Sequence, residues 1–125
     1  MQTNVNLNLP KQFVEMCQYS QQKPEEVLQA IANDMSYPLF MATKDRNKKL
    51  ASYFFIQHVQ SPRFKGQINE SLEDHYFAQM ATAVNESYEQ YPNDEEKAIE
   101  AANNIMELWA KAAIAERGRY LTNDL

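Results

Sequence analysis

Glycine is nearly missing from this chain: Gly66 and Gly118 are the only two in 125 residues. Turns that need a positive φ are therefore few, which excludes an all-β fold built from many hairpins and any glycine loop able to cradle a phosphate. Cysteine occurs once, at Cys17, so no internal disulfide can form and no Cys-x-x-Cys pair is available to zinc. Neither a signal-like start nor an apolar run of bilayer length is present, so no membrane span is expected and the cytoplasm is the expected compartment.

What remains is 44% apolar and rich in Ala, Glu, Gln and Lys, enough for a buried core and biased towards helix. The net charge of -5 is unevenly spread. Residues 1–65 carry eight Lys and Arg against five Asp and Glu, and residues 66–125 carry four against twelve, so any nucleic-acid surface belongs to the front half.

Five prolines divide the chain, because proline lacks an N–H, fixes its own φ and biases the residue before it away from the α region. Pro10 opens a helix over about 10–21, Pro24 one over about 24–36, and Pro38 stops the latter. A helix over about 43–60 carries Leu50, Tyr53, Phe54, Ile56 and Val59 at mixed spacings, which predicts burial on more than one side. A helix over about 70–90, capped by Asn69, aligns Leu72, Tyr76, Met80, Ala83, Val84 and Tyr88. A last helix over about 94–117 starts acidic, ends at Gly118 and aligns Ala98, Ile99, Ala102, Ile105, Met106 and Trp109. The turn around Pro92 makes these last two an antiparallel pair. Two domains are expected, 1–36 and 37–125.

Before the first helix, Asn4-Val5-Asn6-Leu7-Asn8-Leu9 alternates polar and apolar, the pattern of a strand with Val5, Leu7 and Leu9 on one face and three asparagines on the other. No second strand is evident, so the expected partner is the same strand of a second copy, giving a homodimer. Strand, Pro-initiated helix, short break and second helix resembles the ribbon-helix-helix family of DNA-binding proteins over roughly residues 3–36, and Leu9-Pro10-Lys11-Gln12-Phe13-Val14 is similar to that family's passage from strand to helix. The resemblance implies a mainly α chain with an intermolecular β-ribbon and a three-helix C-terminal region. It further implies base contacts in the major groove by Asn4, Asn6 and Asn8. The dimer core it implies is formed by Val5, Leu7, Leu9, Phe13, Cys17, Val27, Leu28 and Ile31. Where the family often has glycine before the second helix, this chain has Gln21-Gln22-Lys23, and Glu25 and Glu26 follow.

Physical reasoning on the strand is compatible with that use: alternate strand residues repeat at roughly 6.6 Å, about two base-pair steps, and an asparagine amide can both donate to and accept from adenine. Asparagine is equally at home on a solvated strand face. Lys11, Lys23, Lys44, Arg46 and Lys48 are the candidate phosphate contacts, although a run such as Lys44 to Lys49 is commonly a solvated helix end.

No catalytic residue, metal or cofactor is expected. His58 and His75 lie 17 residues apart, and the residues three before them are Phe55 and Leu72 rather than the Glu of a di-iron bundle. Cys17 reads as a small core residue. Glu70, Glu73 and Asp74 read as an acidic helix start. Adjacent aromatics such as Phe54-Phe55 and Tyr76-Phe77 cannot share one stripe, which leaves some to cover a partner. The expected function is a homodimeric regulator that binds double-stranded DNA, a transcriptional repressor or an accessory protein of a plasmid or mobile element. The alternative is a dimeric helical interaction module that has lost DNA binding and works through its acidic C-terminal helices.

Overall fold

In the computed structural model, residues 4–63 and 69–124 are described, and they form six helices with no strand among them. The chain divides into two compact units, Met1–Asn33 and Asp34–Leu125.

In the first unit, residues 4–10 belong to neither a helix nor a strand, and α1 (Lys11–Tyr19) and α2 (Pro24–Asp34) follow. The ribbon-helix-helix expectation is corrected on this point. Alternation of Val5, Leu7 and Leu9 stabilises a strand only where a second strand takes up its N–H and C=O groups, and no described segment of the chain does so. Val5 and Leu7 therefore stand exposed. The α1 end is closed by two reverse hydrogen bonds, Gln21 N–H to the Gln18 carbonyl (3.1 Å) and Gln22 N–H to the Cys17 carbonyl (2.8 Å). This closure needs a left-handed residue, and Gln21 supplies it at φ 58° where glycine is usual.

The second unit begins with a helix that the sequence reading missed, α3 (Tyr37–Ala42). Pro38 stands in its first turn, so this proline starts a helix as well as following one. Ser36 caps α3 by accepting the Leu39 N–H at 3.2 Å. Asp45 caps α4 (Arg46–Val59) through the Asn47 N–H at 2.9 Å.

Asn69 caps α5 (Glu70–Gln90) as expected, accepting the Leu72 N–H, and its amide also donates to the Glu116 carboxylate at 2.9 and 3.0 Å. That second contact joins the start of α5 to the later part of α6 (Glu95–Asp124), so the pair is antiparallel. Asp94 caps α6, and the helix runs through Gly118 to Asp124 instead of ending there. Glycine marks a helix end only where the chain needs left-handed backbone, and here it does not.

The core of this unit sits between α5 and α6, where Met80 and Val84 meet Ala98 and Ala102, and Ala42 at the end of α3 completes it. Alanines one turn apart let the two backbones approach, and burying a side chain the size of Met80 stabilises by roughly 1.5–3 kcal/mol. Around this core lies an aromatic cluster drawn from all four helices. Tyr37 stacks on Trp109 (5.3 Å, 10°) and meets Phe77 and Phe55 edge-on at 4.8 and 6.0 Å. Trp109 also stacks on Tyr76 at 6.3 Å.

The α4 helix packs chiefly on α3, and a hydroxyl fixes it there. Ser52 Oγ, 1% exposed, accepts the Ser36 N–H at 2.9 Å and donates towards the Asp34 and Ser36 carbonyls at 3.1 and 3.2 Å. Removing it takes the partner from the part-buried Ser36 N–H and a donor from the Asp34 carbonyl, while the Ser36 carbonyl keeps the Phe40 N–H at 2.8 Å. Ser52→Ala is expected to lower the unfolding free energy by about 1–3 kcal/mol, read from the denaturant midpoint. An unchanged midpoint contradicts this role.

Candidate functional site

Asn4, Asn6 and Asn8 are exposed on the segment that precedes α1. Of the residues expected in the dimer core, Cys17 is buried, Leu9, Phe13, Val27 and Leu28 are half-buried, and Ile31 is exposed with Val5 and Leu7. Of the five candidate phosphate contacts, three already have partners within their own unit. Lys11 lies 3.8 Å from the Glu15 carboxylate, Lys48 lies 3.9 Å from Glu95, and the Lys44 ammonium sits 4.6 Å over the Tyr88 ring. Lys23 precedes α2, where its carbonyl accepts the Val27 N–H.

The surface that stands out is on α4. With 3.6 residues per turn, Ser52, Phe55, Ile56 and Val59 share one side, while Arg46, Leu50, Tyr53, Phe54 and Gln57 share the other. The first side is the more covered one: Ser52 is buried, Ile56 and Val59 are half-buried, and Phe55 is 40% exposed. On the second, Leu50 and Phe54 are each 64% exposed, and Tyr53, 52% exposed, meets Phe40 in a T-shaped contact at 5.3 Å. His58 stacks on Phe54 at 6.1 Å and extends the same stripe. The expectation of burial on two sides thus meets a helix covered on one.

Charge on α4 is also unusual. Its first turn holds Arg46, Lys48 and no acid, with Lys49 next to it, against the positive end of the helix dipole. Like charge at that end costs a few tenths of a kcal/mol per residue, so these cations are not placed there for the helix's own stability. Asp45 is the single acid in the stretch, and its carboxylate is occupied with the Asn47 N–H.

On the packed side, α3, α4 and α6 leave a cleft of about 370 Å³. Met35, Pro38, Phe55 and Met106 make it apolar, Asn103 and Tyr37 supply polar groups, and no charged side chain lines it. Burial, with the Glu73 charge adding to it, pushes the Tyr37 hydroxyl up to about 12. Burial likewise raises Glu73, reinforced by Asp74 and Glu70 and opposed by a hydrogen bond from Gln60. His75 contacts Gln79 at 3.0 Å, and among the described residues no three His, Cys, Asp or Glu side chains gather as a metal site.

Ser52, Ser36, Tyr37 and Phe40 position this surface, and none was singled out from the sequence. One signal was available for Ser52: a lone hydroxyl on the same helix side as Phe55, Ile56 and Val59 must find partners once it is buried.

The raised Tyr37 value has a sign that can be checked. Folded Tyr37 holds its proton between the ordinary value of 10.0 and about 12 while the unfolded chain releases it, so its contribution to stability is complete below pH 10.0 and is lost as pH rises towards 12. A spectrophotometric alkaline titration is expected to show one tyrosine ionising well after the exposed Tyr19, and Tyr37→Phe should remove that late component. Its persistence in the variant contradicts the assignment. Comparison of the chain with protein-family models, with curated proteins and with solved structures found no match.

Proposed function

We propose that this chain is a helical protein-interaction module whose working surface is the outward side of α4. The observation that carries the reading is a helix apolar on two sides and packed on one, with Leu50, Tyr53 and Phe54 open to solvent beside Arg46. A contiguous exposed apolar patch with polar margins marks a contact site, and aromatic residues and arginine are the side chains enriched at interface centres. Isolated exposed apolar residues need no such account. Here three of them lie along little more than one helical turn.

DNA binding was expected on the strength of a ribbon, and the described residues contain no strand. The cations at the start of α4 could still meet phosphates, which makes nucleic acid the competing partner class. A photo-crosslinking phenylalanine analogue at position 54 separates the two in cells of the source organism. The reading predicts a discrete adduct with a protein, a second copy of the chain included, that disappears when Leu50→Glu is added. No adduct, or an adduct to nucleic acid alone, contradicts it.

A further inference from the structure

We infer that the cleft between α3, α4 and α6 binds a small molecule: an uncharged planar aromatic of about two fused rings, with a hydrogen-bonding edge that Asn103 reads. The cleft lies on the side of α4 that carries Ser52 and Phe55, away from the surface assigned to protein contact, so this inference does not rest on that reading. Two of its walls are one-turn pairs. Ser52 and Phe55 on α4, and Asn103 and Met106 on α6, are each three residues apart and so share one side of their helix. Met35 and Pro38, on either side of the Ser36 cap, supply the α3 wall.

Size and charge narrow the occupant. The space is about 370 Å³, and a dry apolar cavity of about 150 Å³ takes one benzene ring, so there is room for two rings. No charged side chain lines the cleft, and Tyr37 keeps its hydroxyl proton up to about 12. A charged ligand would lose its hydration there and gain no counter-charge. Phe55 lines the cleft from the more covered side of α4 yet is 40% exposed, and the one ring it meets among the described residues is Tyr37, edge-on at 6.0 Å. An open aromatic surface, together with the Met35 and Met106 thioethers, favours an aromatic ligand. The polar groups are unequal. Ser52 Oγ is taken up with the Ser36 N–H and the Asp34 carbonyl, and Ser36 Oγ accepts the Leu39 N–H. Of the other two polar side chains, Tyr37 and Asn103, only Asn103 presents a donor and an acceptor side by side. Asn103 is exposed, and its amide makes no hydrogen bond to another described residue. It therefore suits a ligand edge that offers a donor beside an acceptor, such as the N–H and C=O of a ring lactam. Water in the cleft finds few partners on the apolar walls, so its displacement by such a ring is favourable.

Methyl-labelled methionine in the intact chain gives the test by nuclear magnetic resonance, with the Met35 and Met106 signals assigned through Met35→Leu and Met106→Leu. Three probes are titrated: oxindole, a neutral fused lactam; indane, its apolar counterpart; and indolecarboxylate, which is charged. Oxindole is expected to shift both signals saturably with a midpoint below about 1 mM, and the other two to bind at least about tenfold more weakly. Asn103→Leu should weaken oxindole by about tenfold and leave indane unchanged. Asn103→Trp, at an exposed position, should block oxindole without changing the circular dichroism spectrum. Absence of saturable shifts overturns the inference, as do shifts that persist in Asn103→Trp, an oxindole affinity indifferent to Asn103→Leu, or indolecarboxylate binding as tightly as oxindole. Signals that move only when a protein partner is added mean that a partner's side chain fills the cleft, and they overturn it too.

Discussion

The direction in which α4 faces depends on one hydroxyl. Ser52 takes the Ser36 N–H and returns its proton towards the Asp34 and Ser36 carbonyls, at the junction where α2 gives way to α3. The Ser36 N–H has no helical acceptor because Ser36 is the non-helical residue before α3, whereas its carbonyl already accepts the Phe40 N–H. Without a partner that N–H would carry a desolvation penalty, so the hydroxyl both satisfies it and sets the rotation of α4. Once Ser52 points inwards, helical spacing puts Phe55 into the aromatic cluster and leaves Leu50, Tyr53 and Phe54 outside.

The remaining framework needs little from α4. Helices α5 and α6 close on each other through Met80, Val84, Ala98 and Ala102, with an end tie from Asn69 to Glu116. Tyr37 and Trp109 extend that packing to α3. A helix attached to such a body along one side can present its other side without loss of the core. The resulting surface joins apolar area to unbalanced positive charge, and the proposed protein contact draws on both.

The parts of the fold legible in the sequence are those fixed by local chemistry. Asn69 and Asp94 as caps, and the stripes around Met80 and Val84 and around Ala98 and Ala102, follow from side-chain hydrogen bonding and helical periodicity. What was misread depended on partners outside the segment. The alternation of residues 4–9 is a strand pattern only in the presence of another strand, and α3 is six residues long, too short for periodicity to show. Gly118 looked like a helix end because glycine often is one, yet the backbone at that point stays helical. The α4 surface was half legible: its aromatics were seen to exceed one stripe, but which of them faced outwards was decided by Ser52, a residue without periodic signature.

The central claim is that the outward side of α4 is covered when the protein is at work. A thiol placed there without removing any apolar contact reports on it directly, and Gln57→Cys is such a site, with the native Cys17 buried and slow to react. Maleimide labelling at position 57 is predicted to be at least about tenfold slower in concentrated lysate of the source cells than in the dilute purified chain. Labelling at the same rate in both would contradict the account.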